Sequence, residues 1–249
     1  MEIQLEKGKK LYFASDFHLG IPTHEESVKR ERKIVRWLDQ AKEDAQHIFL
    51  IGDIFDFWFE YKTVIPKGFI RFQGKLAELT DAGIPVSFFI GNHDMWLFDY
   101  FTKELGIAIY REPLVMHVNG TKMYVGHGDG LGPGDGFYKI LKKIFRNKLC
   151  IWLFGLIHPS LGITIADRWS RQSKKKGTPQ FMGEEEWIYQ FAKELEEKEH
   201  HDYYIFGHRH LNFVMDVLGR SKYVNTGEWL STYSYATFDG EEMQLLKFD

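Results

Sequence analysis

Five short groups of Asp, Asn and His occur in order along the 249-residue chain: Asp16-Phe17-His18, Gly52-Asp53-Ile54-Phe55-Asp56, Gly91-Asn92-His93-Asp94, Gly126-His127 and Gly207-His208-Arg209-His210. Carboxylate, imidazole and amide oxygens are the donors that hard or borderline divalent ions such as Mn²⁺ accept, and the set contains no sulfur. Asp16 and His18, two residues apart beyond a strand end, can turn toward one ion. Asp53 carries two carboxylate oxygens and can bridge two ions, whereas His208-x-His210 can give one imidazole to each. A lone histidine is more often structural, so any single pair says little. Five groups in order make a two-metal site the leading reading.

Each group follows an apolar, strand-like run and so falls where a strand ends and a loop begins, the usual place for ligands in open α/β sheets. The runs Leu11 to Ser15, His47 to Ile51 and Val86 to Ile90 are separated by charged, helix-like stretches at Glu25 to Ala45 and Lys67 to Asp81, which is β-α-β-α-β spacing. Strands at Leu114 to Val118 and Met123 to Val125 flank Asn119-Gly120, a dipeptide suited to a two-residue hairpin. The sheet is therefore mixed. Glu184 to Lys198 has helical apolar spacing and precedes a strand at Tyr203 to Phe206. Further strands are expected at Phe213 to Val217, Lys222 to Asn225, Tyr233 to Phe238 and Met243 to Phe248, with Asp239-Gly240 in another hairpin.

The chain is 44% hydrophobic and 16% aromatic, enough for a sizeable core. Its single cysteine, Cys150, rules out an internal disulfide and fits a reducing compartment. Met1 to Lys10 lacks the apolar stretch of a signal peptide, so a cytoplasmic location is expected. Net charge is −3, but residues 131–176 hold ten basic against two acidic side chains, so +8 there leaves −11 elsewhere. Within that segment Phe137, Tyr138, Ile140, Leu141, Ile144 and Phe145 alternate with basic residues at helical spacing. Leu149 to Ile157 is then almost wholly apolar, yet too short to span a bilayer. Such a basic, apolar insert suits a segment that lies on a membrane surface or closes over an acyl chain. The plainer alternative is that it packs on the main domain. The division expected is a core of 1–130 and 177–249 with a helical cap at 131–176.

The ordered motifs D-x-H, G-D-x-x-D, G-N-H-D, G-H and G-H-x-H resemble those of the calcineurin-like metallophosphoesterases, over almost the whole chain outside the insert. The resemblance implies an α/β (mixed α+β) fold, an αββα sandwich of two mixed sheets with metals on one rim. It implies Asp16, His18, Asp53 and His210 as ligands of one metal and Asp53, Asn92, His127 and His208 as ligands of the other. Two such cations activate a water and stabilise charge on the phosphate. His93 would protonate the leaving group or hold a phosphate oxygen. Asp94 would set the His93 tautomer or cap a helix over Met95 to Leu105, and Asp56 is read as supporting the ligands without binding metal. His24, His47, His117, His158, His200 and His201 lie outside the motifs and are read as structural.

The position of the insert, with Asp135 and the run Arg168-Trp169-Ser170-Arg171-Gln172-Ser173-Lys174, resembles the UDP-2,3-diacylglucosamine pyrophosphatases of lipid A synthesis. That resemblance implies an anionic glycolipid nucleotide as substrate, hydrolysed to UMP and 2,3-diacylglucosamine 1-phosphate. Asn92, Asp129, Asp135, Arg168, Ser173 and Lys174 would contact it, without an obligate protein partner. Many of those enzymes have Arg where this chain has His93, which leaves room for a nucleotide or nucleic-acid phosphodiesterase or phosphomonoesterase. A nucleic-acid groove would interleave aromatics with its cations, whereas Leu149 to Ile157 is mainly aliphatic. A metal-free scaffold would show broken motifs, and here they are complete.

Overall fold

The computed structural model describes residues 1–134, 136–173 and 180–249, with the side chains of 167–173 outside the description. Its strands and helices run in the order β1 (Glu2–Ile3), β2 (Lys10–Ala14), α1 (His24–Ala41), β3 (Ala45–Ile51), α2 (Ile70–Asp81), β4 (Val86–Phe89), α3 (Tyr100–Leu105), β5 (Ala108–Tyr110), β6 (Leu114–Val118) and β7 (Thr121–Val125). There follow α4 (Gly136–Phe145), α5 (Lys148–Gly155), α6 (Pro159–Ser173), α7 (Trp187–Glu196), β8 (Tyr203–Phe206), β9 (Asn212–Val217), β10 (Ser221–Thr226), β11 (Ser234–Phe238) and β12 (Met243–Lys247).

The strands form two six-stranded mixed sheets, ordered β1-β6-β7-β8-β10-β9 and β12-β11-β2-β3-β4-β5. In the second, β2, β3, β4 and β5 are parallel and β11 and β12 close one edge antiparallel. Alternation along each strand decides the layers. Leu11 and Phe13 of β2, Phe49 and Ile51 of β3, Ile205 of β8 and Val224 of β10 point between the sheets. Tyr12, Ala14, Ile48 and Leu50 face the other way and meet Ile34, Trp37, Phe72 and Leu76 of α1 and α2. On the far side, Tyr204, Phe206 and Tyr223 pack against Ile188, Tyr189 and Ala192 of α7. The result is the expected helix-sheet-sheet-helix sandwich.

Local chemistry explains the borders. Thr23 caps α1 by accepting from the Glu26 N–H, and Asn119 and Gly120 both have positive φ in the β6–β7 hairpin. Asn147 caps α5, and Pro159 opens α6 where its missing N–H costs nothing. The reading from sequence missed β1 and β5, which are two and three residues long. It also overextended the helix after Asp94: α3 begins only at Tyr100, and its N-cap is Asp99.

Helices α4, α5 and α6 follow the C-terminal end of β7. They pack on the loops that follow β3 and β4: Phe154 meets Phe57, Phe59 and Trp96, and Trp96 Nε1 donates to the Phe145 carbonyl at 2.9 Å. Part of the basic charge of this segment is used as anchorage. Lys142 pairs with Asp129 at 2.7 Å, Arg146 with Glu112, and Lys139 donates to the Gly132 carbonyl. No residue of α4 or α5 is fully buried. Among the described residues no single helix is long and apolar enough to cross a membrane, although α5 and the first part of α6, bent by 120°, pass that test together.

Candidate metal centre

β2, β3, β4, β7 and β8 all deliver their following residues to one rim. The seven side chains expected as ligands meet there. Asp16 Oδ1 lies 3.1 Å from His210 Nε2, and His18 Nε2 lies 3.0 Å from His210 Nε2. Asp53 Oδ2 sits 3.3 Å from His127 Nε2 and 3.8 Å from His18 Nε2, between the two halves of the cluster. Asn92 Oδ1 lies 2.8 Å from His208 Nδ1 and 3.3 Å from His127 Nε2. The groups Asp16, His18, His210 and Asp53, His127, His208 each bring one donor atom apiece within 4.8 Å of one another.

Backbone conformation aims these groups. Asp16, His18, Asp53, His208 and His210 all have positive φ, between 44° and 66°, a region that costs most L-residues about 1 kcal/mol or more. Such strain concentrates at functional sites and persists only where neighbours enforce it. Arg30 of α1, nearly buried, donates through Nη2 to the His18 carbonyl at 2.7 Å. The Trp229 N–H donates to the Asp16 carbonyl at 3.1 Å, and Glu228 holds the Trp229 loop by accepting from the N–H groups of Ser231 and Thr232. Arg209 ties the His208–His210 turn to buried Glu186 at 2.7 and 3.1 Å. Sequence reasoning named none of these supports, because each is one charged residue among many in helices and loops.

The electrostatics fit a cation site. Asp16 Oδ1 is buried and makes no well-aligned hydrogen bond; its near neighbours are the imidazole nitrogens of His210 at 3.1 Å and His18 at 3.8 Å, so it is an acceptor open to a cation. Burial alone would raise both carboxylates, but His210 beside Asp16 and His127 beside Asp53 hold them below the usual carboxylate range. Burial would likewise lower His127, yet the Asp53 charge raises it to about 10. His208 is pushed down to about 4 by burial and by the charge on His127. His127 Nδ1 donates to the Ile51 carbonyl at 2.9 Å, which turns Nε2 toward Asp53 and Asn92. This is the tautomer a metal ligand needs.

His93 stands at the edge of the cluster, its ring centroid 4.8 Å from that of His18. Its Nδ1 faces the main-chain carbonyl of Asp56 at 3.0 Å. Asp94 does not take the place expected for it. Its buried carboxylate accepts from main-chain N–H groups, so the His93 ring is oriented by Asp56 instead. Asp56 Oδ1 lies 3.2 Å from His18 Nδ1, on the far side of the ring from Nε2, which is where a ligand-orienting group sits. A third grouping, His18, Asp56 and His93, also brings donor atoms within 4.8 Å.

Asp129 is buried under α4, where Tyr138 Oη donates to it at 2.5 Å and Lys142 pairs with it. Both contacts fall on Oδ2, and they anchor the helix above it. Asp135 and Lys174 lie outside the described residues, as do the side chains of Arg168 and Ser173. A cavity of about 400 Å³ opens beside Asn92 and His93, walled by Leu141, Ile144, Phe145, Ile151 and Phe154.

Residues 9–212 match the calcineurin-like phosphoesterases, and the chain belongs to that family of metal-dependent hydrolases. Among curated relatives, a UDP-2,3-diacylglucosamine hydrolase of Porphyromonas gingivalis is 37% identical over 95% of this chain and 96% of its own. Enzymes of the same name from Shewanella baltica and Histophilus somni are 24% and 23% identical, covering 94% and 96% of this chain and 95% and 100% of theirs.

If divalent ions occupy this cluster, His127 must give up its proton to bind through Nε2. Calorimetric titration with Mn²⁺ at pH 7.5 in two buffers of different ionisation enthalpy is expected to show proton release. Apparent affinity should rise by about one log unit per pH unit between pH 6.5 and 8.5 for each proton displaced. Equal heats in both buffers and a flat pH profile would contradict this electrostatic account.

Proposed function

We propose that the chain hydrolyses the pyrophosphate of UDP-2,3-diacylglucosamine, or a close relative, to UMP and the acylated sugar 1-phosphate. The observation that carries this reading is the apolar cavity opening beside Asn92 and His93. At about 400 Å³ it falls in the range of small-molecule sites. Among the described residues its lining contains no Lys or Arg, which favours an acyl chain over a phosphate backbone. The name carried by the relatives agrees with this.

In this reading Asp16, His18, Asp53 and His210 hold one divalent ion and Asp53, Asn92, His127 and His208 the other, with Mn²⁺ as the proposed metal. When bound, such a pair acidifies water and offsets charge on a phosphate undergoing in-line displacement. The protein's own groups do the rest. Asn92 is held between His127 and His208, so its amide is fixed where it can also meet a phosphate oxygen. With His93 Nδ1 turned to the Asp56 carbonyl, Nε2 is the nitrogen that meets a leaving-group oxygen. A sugar phosphate leaves readily, its second pKa being about 6, so His93 has less to do here than it would for an alkoxide. In this reading 131–176 is a cap on a core of 1–130 and 177–249, and α4, α5 and α6 are its described helices. Arg168, Ser173, Lys174 and Asp135 remain proposed substrate contacts, while Asp129 acts through its hold on α4.

The α5 helix has two apolar faces. Ile151 and Phe154 line the cavity, whereas Leu149, Trp152, Leu153 and Leu156 recur at helical spacing on the exposed side. An outward apolar stripe beside Lys148 suits peripheral docking on the cytoplasmic face of a membrane, where a diacylated substrate resides.

With Mn²⁺ present, UDP-2,3-diacylglucosamine is expected to turn over in preference to bis-p-nitrophenyl phosphate, single-stranded DNA and AMP. Leu141→Ala or Ile151→Ala should raise KM for the lipid roughly tenfold, from the lost apolar burial, and spare the small diester. Turnover of only the diester or DNA would support the phosphodiesterase alternative. Replacing Leu149, Trp152 and Leu156 with Ser should abolish cosedimentation with anionic phospholipid vesicles while bis-p-nitrophenyl phosphate turnover persists. Undiminished sedimentation of that variant would remove the docking surface.

A further inference from the structure

The turn that presents Asp53 has left-handed backbone at Asp53 (φ 54°), follows Gly52 and is almost completely buried. Three successive N–H groups, those of Asp53, Ile54 and Phe55, point inward from it, and they need acceptors. They find one carboxylate. Asp94 Oδ2 accepts from the Ile54 N–H at 2.7 Å and the Phe55 N–H at 3.4 Å, and its Oδ1 from the Asp53 N–H at 3.3 Å. The same Oδ1 accepts from the Gly91 N–H at 2.7 Å, in the other ligand loop. The contact is reciprocal, because Asp53 Oδ1 accepts from the His93 N–H at 2.8 Å. A side chain on Gly91 would collide with the Asp53 carboxylate, so glycine there permits the close approach of the two loops.

From this geometry we infer that Asp94 is a positioning residue for the metal centre, which clasps the Asp53 and Asn92 loops together and selects which Asp53 oxygen faces the ions. The inference rests on the reading of Asp53 as a ligand. One Asp53 oxygen is occupied by the His93 N–H, and the other, Oδ2, is directed at His127 and His18. Without the clasp the Asp53 turn loses the acceptors that offset its left-handed backbone, and the loop carrying Asn92 loses its hold at Gly91. The residue therefore acts on metal affinity through the main chain rather than on proton transfer through His93.

Asp94→Asn keeps the shape and breaks the chemistry. Whichever way the amide is turned, its NH₂ replaces an acceptor that faces main-chain donors, so one side of the clasp is lost. Titrating the metal-free protein with Mn²⁺ alone, well below its unfolding temperature, should give a dissociation constant about 10–100-fold weaker than wild type. With bis-p-nitrophenyl phosphate, kcat should recover to within about threefold at saturating Mn²⁺. Wild-type affinity in the variant, with only Tm lowered, would overturn the inference. So would unchanged affinity, or any affinity, combined with a kcat that stays lost at saturating metal, since that outcome places Asp94 in the chemistry. Wild-type protein that takes up no Mn²⁺ would sink the metal-centre reading itself, a result distinguishable from both. Should the variant not fold, amide exchange in metal-free wild type decides: Gly91 and Ile54 N–H groups protected like those of β3 support the clasp, and exchange at exposed-loop rates refutes it.

Discussion

Two buried carboxylates, Asp16 and Asp53, sit among four imidazoles, and one oxygen of Asp16 makes no well-aligned hydrogen bond. Burial on its own would penalise such a concentration of acceptors, and the imidazoles beside them, His210 at Asp16 and His127 at Asp53, offset that penalty and keep both carboxylates below their usual range. The attraction between His127 and Asp53, which raises His127, is part of the answer that the protein makes by itself. Much of the surrounding structure keeps these groups in place despite that cost. Arg30, Glu228 and Arg209 hold the backbone of the turns that carry the candidate ligands from three directions, and five of those residues have left-handed conformations.

The sandwich makes this possible in a simple way. Parallel strands β2, β3 and β4 in one sheet and β7 and β8 in the other end on the same rim, so residues nearly 200 positions apart meet without long loops. The apolar layer between the sheets, where Phe13, Phe49 and Ile51 of one sheet meet Val125, Ile205 and Val224 of the other, fixes the relative position of those strand ends. Small errors in strand placement would otherwise separate donors that must lie within a few ångströms. The placement of the candidate ligands is thus inherited from apolar packing.

Most of the architecture was readable from alternation and turn chemistry. Strand Tyr203–Phe206 and the Asn119-Gly120 hairpin fall where the residues place them, and the seven ligand candidates converge as the ordered motifs imply. What escaped was short or tertiary. β1 and β5 are too brief to show periodicity, and their pairing comes from neighbouring strands. Asp94 looked like a partner for His93 or a helix cap because both are adjacent in sequence; its acceptor role depends on a loop forty residues away. The partners of Asp129 are also tertiary, since only the folded chain brings Tyr138 and Lys142 to it. The net charge of residues 131–176 similarly overstated what is left for an anionic partner, since Lys142 and Arg146 are paired with core acids.

Together, the cavity and the candidate ligand cluster describe a site that is apolar on one side and strongly polar on the other, as an amphipathic phosphoester requires. The polar half is the part on which the rest stands. Its most direct test is anomalous diffraction from crystals grown with Mn²⁺, recorded at the manganese edge. Two peaks about 3.5–4 Å apart, with Asp53 between them and Asp16, His18, His210 on one side and Asn92, His127, His208 on the other, are the predicted result. A single peak, or none within reach of Asp53 at saturating metal, would contradict the account.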